Sequence, residues 1–169
     1  MGDDHTFEAL WNAHHRRVHA YAQRRTDDTS AQDAVSETFL VAWRRRTEMP
    51  AGDPLPWLLG VARLVLANQA RSRRRQDALA DVLVHQTREH ATEAEIDVPV
   101  LIALAALSDT DREALLLVGW DGLTPAEAAR SLGCSAVAFR VRLMRARRAL
   151  RARLDPEALP TALLEAEAP

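Results

Sequence analysis

The chain has 169 residues, of which 47% are hydrophobic and 27% charged, with a formal net charge of -2 and a single cysteine. That length buries one ordinary core or two small ones, and the composition is that of a globular protein rather than a disordered one. The lone Cys134 rules out an internal disulfide framework and fits a reducing compartment.

No apolar run approaches the ~20 residues needed to span a bilayer. The N-terminal MGDDHTFEA lacks the basic start and apolar core of a secretory signal. A cytoplasmic protein without membrane insertion is therefore expected. The small net charge conceals a segregated distribution. Every basic side chain is an arginine, with blocks at Arg44, Arg45 and Arg46, at Arg63, Arg71, Arg73, Arg74 and Arg75, and from Arg140 to Arg153. An acidic stretch containing Asp77, Asp81, Glu89, Glu93, Glu95 and Asp97 separates the last two blocks. One such run is usually solvated surface. Same-sign blocks at the ends of two expected helices match the electrostatic footprint of a phosphate-binding protein.

In chain order, Phe7, Leu10, Trp11, Val18, Tyr21 and Ala22 recur at a helical period, which predicts a helix from about Thr6 to Arg25. Asp27, Asp28 and Thr29 break it, and Ser30 with Asp33 resembles a capping box for a second helix running to about Arg46. Ala31, Val35, Phe39 and Trp43 form its buried stripe, leaving Asp33, Ser36, Glu37 and Arg44 available to a partner. Residues 47 to 56, with three prolines and one glycine, read as a loop. The next helix places Trp57, Val61, Leu64, Val65 and Asn68 on an inner face and ends in the arginines at 71 to 75. Residues 77–98 read as an acidic linker in which Leu79 to Val84 continue the helix.

A short apolar helix follows Pro99, and Ser108 with Asp111 opens another that stops at Gly122. Thr124, Pro125 and Glu127 then supply a capping hydroxyl, a proline at the first helical position and a glutamate that closes a capping box. Gly133 ends this helix in the left-handed conformation, and Ser135 caps a long arginine-rich helix. Ala129 and Gly133, four apart, leave room for two helices to cross closely, the requirement of a helix-turn-helix. The N-terminal part of the second helix of such a motif meets base edges, which points to Ser135, Ala136, Ala138, Arg140 and Arg142. Arg145, Arg147, Arg148 and Arg151 cannot all reach bases, so some are expected at phosphates and others in solvent. The tail 155–169 is acidic and broken by Pro156 and Pro160.

Cys134 is expected in the core, and His14, His15 and His19 lack the further ligands of a metal site. Trp11, Trp43, Trp57 and Trp120 fall on inner faces, with Trp57 beside the proline loop open to a stacking role. No glycine-rich phosphate loop, nucleophile elbow or convergent acid and base pair is present. Neither catalysis nor a cofactor nor a metal is expected.

Two motifs in order, SAQDAVSETFLVAWRR at 30–45 followed by PWLLGVAR at 56–63, and LSDTDREALLLVGWDGLTPAEAARSLGCSAVAFRVRLMRARRAL at 107–150, resemble the extracytoplasmic-function (ECF) sigma factors of bacterial RNA polymerase over nearly the whole chain. The resemblance implies an all-α protein of two small helical domains: 1–76, binding the polymerase clamp and the minus-ten element, and 99–154, binding the minus-thirty-five element. The acidic linker 77–98 would join them and follow the RNA exit path. It further implies that Asp33, Glu37, Thr38 and Phe39 serve core polymerase binding. Trp57, Arg63, Asn68, Arg71, Arg73 and Arg74 fall where the family meets minus-ten DNA, and the loop 47–56 where it receives a flipped base. Ser135, Ala136, Ala138, Arg140, Arg142 and Arg145 fall where it meets minus-thirty-five DNA. The implied partners are core RNA polymerase through its clamp and flap, promoter DNA, and an anti-sigma factor. The sequence departs from the family's usual residues at Ser36, Val41, Gly60, Leu64, Asn68, Gln69 and Val141. The alternative is a helix-turn-helix repressor or activator that binds duplex DNA alone, which has no need of the pattern from Asp33 to Trp43.

Overall fold

The computed structural model describes residues 2–80 and 98–154. The chain divides into two compact units, 1–92 and 93–169. Among the described residues every regular element is helical, as the sequence pattern requires. None of these helices is long and apolar enough to cross a membrane.

In the first unit, α1 (Gly2–Gln23), α2 (Asp28–Arg44) and α3 (Leu55–Ala80) each pack against the other two. The ends of α1 and α2 are joined by aromatic rings. Phe7 meets Trp43 edge-on at 5.0 Å and Phe39 at 6.3 Å, and Trp11 lies 4.6 Å from Phe39. These contacts favour one angular setting of α1 on α2, because edge-to-face pairing brings a positive ring edge to a negative face. Val18, Tyr21, Ala31, Ala34, Phe39 and Ala42 continue the core toward α3.

Three expectations change here. The second helix is capped by Asp27 rather than Ser30: the Asp27 carboxylate accepts from the Ser30 amide at 3.0 Å, so the helix begins at Asp28. An aspartate with extended backbone one turn earlier satisfies the same orphan amides, and both candidates look alike in sequence. The loop 47–56 is shorter than its prolines imply. It contains a 3-10 turn at Arg46–Glu48, and α3 already begins at Leu55, whose amide donates to Asp53 Oδ1 at 3.0 Å. The inner face of α3 is formed by Leu55, Leu58, Leu59, Val61, Ala62, Val65 and Leu66, whereas Leu64 is 49% exposed and Asn68 also lies outside. Past Arg75 the helix continues into the expected linker as far as Ala80, in line with the helix read there from Leu79. The rest of the expected linker, 81–97, and the tail, 155–169, lie outside the described residues.

The second unit contains α4 (Val98–Ala105), α5 (Asp109–Gly119), α6 (Pro125–Leu132) and α7 (Ala136–Arg151), with α5, α6 and α7 packed on one another. Arg112 of α5 reaches back over the end of α4, donating to the carbonyls of Leu104, Ala105 and Leu107 at 2.9 to 3.1 Å. One guanidinium thus satisfies three acceptors that the end of a short helix leaves open. Ser108 caps α5 as expected, accepting from the Asp111 amide. The chain leaves α5 through Gly122, which has φ 68°. Leu115, Leu117, Ala128, Ala129, Phe139, Leu143, Ala146 and Leu150 fill the core between the three helices.

Candidate functional site

Each unit presents a chemically distinct surface, and its origin lies in which side of a helix the core leaves free. On α2 the buried side takes Ala31, Ala34, Val35, Thr38, Phe39 and Ala42. With 100° between successive residues, Asp33, Ser36, Glu37, Leu40 and Arg44 point the opposite way. All five are exposed. Two carboxylates one turn apart are therefore available to a cationic partner, flanked by a leucine that is 44% exposed. Of the four residues assigned to polymerase binding by resemblance, only Asp33 and Glu37 lie on this surface. Thr38 is fully buried, its hydroxyl donating to the Ala34 carbonyl at 2.6 Å, and Phe39 belongs to the aromatic cluster. These two hold the helix in place. Leu40 escaped the sequence reading because a leucine two turns from Asp33 looks like core.

On α3 the outward side carries Leu64, Asn68, Arg71 and Arg75, with the half-buried Trp57 in the same angular sector near the helix start. Asn68 Oδ1 accepts from Arg71 Nη2 at 2.7 Å, which joins an amide and a guanidinium into one polar group. Arg74 is exposed on the flank, and Arg63 is half-buried with its Nε enclosed and without a hydrogen-bond partner.

Arg73 points elsewhere. It lies on the opposite side of α3 and donates to Asp27 Oδ2 at 3.2 Å, Ser30 Oγ at 2.9 Å and Thr26 Oγ1 at 3.2 Å. Bonds from the Ser30 amide and hydroxyl, and then from Arg73, hold the Asp27 carboxyl well below the usual carboxylate range. The structure thus brings Trp57, Asn68 and Arg71 together, adds Leu64 and Arg75, and separates Arg73 from them. Sequence alone could not divide the arginine run, because the deciding partner sits more than forty residues earlier, in the α1–α2 turn.

The second unit contains the expected helix-turn-helix. Thr124 and Glu127 form a complete capping box, with the Thr124 amide donating to Glu127 at 2.8 Å and the Glu127 amide to Thr124 Oγ1 at 3.3 Å. Gly133 has φ 65°, and the next amide, of Cys134, closes onto the Ala129 carbonyl at 3.0 Å. A Cβ built on Gly133 would meet nothing within 4 Å. The glycine is therefore required for the sign of φ and not for the close crossing expected from its spacing to Ala129. Ser135 caps α7 by accepting from the Ala138 amide at 3.1 Å. Cys134 is half-buried rather than enclosed.

Phe139, Leu143, Ala146, Arg147 and Leu150 turn α7 inward. The outward side then carries Val137, Arg140, Val141, Met144, Arg148 and Arg151, with Arg145 adjoining. Ser135 and Ala138 are exposed near the helix start, while Ala136 and Arg142 are half-buried on the flanks. Arg147 is only 8% exposed, so it is neither a phosphate contact nor a solvated arginine. Val137 and Met144 were not expected on this face, and Val141 is exposed there too. Apolar residues on a helix that also supplies core side chains carry no sequence mark of direction.

His15 of α1 packs within its own helix. His15 stacks on Trp11 with ring centroids 5.4 Å apart and its Nδ1 is 3.2 Å from the Trp11 carbonyl. Among the described residues no group of three or more His, Cys, Asp or Glu side chains is placed to hold a metal ion.

Comparison with known proteins agrees with this division. The model of Sigma-70 region 2 matches residues 10–76, and that of Sigma-70, region 4 matches residues 99–150. The ECF RNA polymerase sigma factor SigC of Mycobacterium tuberculosis is 35% identical over 94% of this chain and 88% of its own. SigL of the same species is 32% identical over 87% of this chain and 88% of its own. Among solved structures, the sigma factor RpoE of Bartonella quintana, in complex with the anti-sigma factor NepR, is 27% identical with a TM-score of 0.69, covering 88% of this chain and 96% of that one. CnrH, in complex with the cytosolic domain of CnrY, is 25% identical with a TM-score of 0.63 over 89% of this chain and 88% of that one. Identity of this extent across both units, in the order the two surfaces occur, makes the chain a member of the ECF family of RNA polymerase sigma factors.

Proposed function

We propose that the two units divide the work of a sigma factor between a polymerase-binding face on α2, a minus-ten face on α3 and a minus-thirty-five face on α7. As a sigma factor the chain directs RNA polymerase to promoters and is a specificity subunit rather than a catalyst. The observation that carries the division is the pairing, in one chain, of an outward carboxylate face on α2 with an arginine-lined outward face on a doubly capped helix-turn-helix. Asp33 and Glu37 meet cationic groups of the polymerase clamp, with Leu40 beside them. Trp57, Asn68, Arg71 and Arg74, joined by Leu64 and Arg75, meet the minus-ten element. Stacking on an aromatic ring or a guanidinium supplies about 1–3 kcal/mol per unpaired base. Arg63 flanks this set, and Arg73 supports it from behind.

In the second unit Ser135, Ala136, Ala138, Arg140 and Arg142 face the minus-thirty-five bases while Arg145, Arg148 and Arg151 follow the phosphates. The domain limits that go with these roles are 1–76 and 99–154, with polymerase spanning the segment between them. An anti-sigma factor, such as NepR is to the RpoE it binds, is the third expected partner.

Transcription with purified core polymerase over a library of promoters tests this reading. Initiation that depends on the added chain is expected. Tight binding of the chain alone to duplex sites, with no initiation from any promoter, overturns it in favour of a self-sufficient regulator.

A further inference from the structure

The outward side of α7 is not uniformly basic. Val137 is 63% exposed and Val141 46%, one helical turn apart, and Arg140 stands between them in sequence and is exposed as well. The core needs neither valine, since α7 fills it with Phe139, Leu143, Ala146 and Leu150 from its other side. Helix propensity does not select them either, because a β-branched residue on an exposed helical surface is a poorer helix former than alanine.

Charge decides what covers them. α7 contains no acidic residue, and Arg140, Arg145, Arg148 and Arg151 are exposed around the two valines, so the occupant that complements the whole face is a polyanion. A valine offers a phosphate or a polar base edge no hydrogen bond. Among the groups that a major groove displays, the C5-methyl of thymine is the apolar one. A valine set against it removes two apolar surfaces from water together, whereas against a purine N7 or a cytosine amino group it would strip water from a polar atom and return nothing. In a helix the valine χ1 is held largely to one rotamer, so its methyls point in a fixed direction and little freedom is lost on contact. Four residues of helix rise about 6 Å, against about 3.4 Å per base-pair step, so along the groove the two side chains meet different base pairs.

We propose that Val137 and Val141 are specificity-determining residues that read the methyl groups of two thymines in the minus-thirty-five element. The inference rests on the reading of α7 as the duplex-facing helix. It adds a second kind of readout beside Arg140: a guanidinium selects a guanine by hydrogen bonds, and the valines select thymine by apolar contact that involves no charge.

Holoenzyme assembled from core polymerase and the full chain is first used to select a preferred minus-thirty-five sequence from a randomised duplex library. Each thymine of that sequence, on both strands, is then replaced by deoxyuridine, which lacks only the C5-methyl. Two of the replacements are expected to weaken holoenzyme binding about fourfold each, the worth of one buried methyl group. One loss should disappear in Val137→Ala and the other in Val141→Ala, with the salt slope of binding the same in both variants as in the wild type. A selected sequence in which no deoxyuridine replacement matters, or losses that persist undiminished in both variants, overturns the methyl readout while leaving α7 duplex-facing. A loss that responds to one valine only removes the other from the readout. Variants that weaken transcription equally on thymine and deoxyuridine templates assign the valines to a protein contact and overturn the proposal. If no sequence preference emerges at minus-thirty-five, the duplex-facing reading of α7 fails and this inference with it.

Discussion

Asp27 ties the α1–α2 turn together: the Ser30 amide and hydroxyl, the Thr26 hydroxyl and the Arg73 guanidinium all donate to it. It is at once the cap of α2 and the anchor of α3. Asp27→Ala should cost about 1 kcal/mol in urea unfolding, the usual worth of an N-cap. Arg73→Ala should cost no more than about 1 kcal/mol, because Asp27 is 57% exposed and water screens the pair. The pH dependence has a definite sign. The folded-state pKa of Asp27 is depressed, so its stabilisation is complete above the ordinary carboxylate pKa of about 3.9 and is lost as the pH falls below it. The stability gap between wild type and Arg73→Ala should therefore close on acidification. Gly133 offers a second residue-scale test. Gly133→Ala should cost about 1 kcal/mol from its positive φ alone, since the space for a methyl is open. Gly133→Asn should recover part of that in the same thermal melt.

At the scale of the element, the outward side of α7 separates two kinds of arginine. Arg140→Ala, near the helix start, should relax base preference at one promoter position by about 1–3 kcal/mol. Arg148→Ala, two turns later, should weaken all sequences alike and lower the salt slope of duplex binding by about one charge. Fluorescence anisotropy over a salt series with matched and mismatched duplexes distinguishes the two.

How much of each helix was legible in the sequence follows from where its determinants lie. The capping box of Thr124 and Glu127, the Gly133 exit and the Ser135 cap are set within a few residues of one another, and the structure reproduces them all. The inner face of α3 was misread at Leu64 and Asn68 because Leu and Val fill several sides of that helix. Only packing against α1 and α2 decides which of them are covered. Arg147 looked like its neighbours and is buried, since its phase on α7, not its type, sets its environment.

For the whole molecule, the acidic face of α2 and the arginine face of α7 belong to different units and can be disabled separately. Asp33→Ala with Glu37→Ala should abolish association with core polymerase in a gel-filtration or pull-down assay. Binding of the same variant to a minus-thirty-five duplex should be unchanged. Unchanged association with polymerase would remove Asp33 and Glu37 from that interface. Both side chains are exposed and outside the core, so each substitution should change the unfolding free energy by no more than about 0.5 kcal/mol. The two-unit design was legible because each family pattern is local to its unit. The linker between them offered only composition.

The contact of Arg73 with the α1–α2 turn also fixes a reading frame within α3. One residue of helix is 100° of rotation. A single inserted residue between Asn68 and Arg73 would swing the guanidinium a quarter-turn or more away from Asp27, Ser30 and Thr26 while the core stripe before it stayed in place. The segment carrying Asn68, Arg71 and Arg75 is thus keyed at both ends, by apolar side chains upstream and by one ionic latch downstream. Substitutions there exchange one contact for another, whereas insertions and deletions put the arginines beyond them out of phase with Trp57, Leu64 and Asn68.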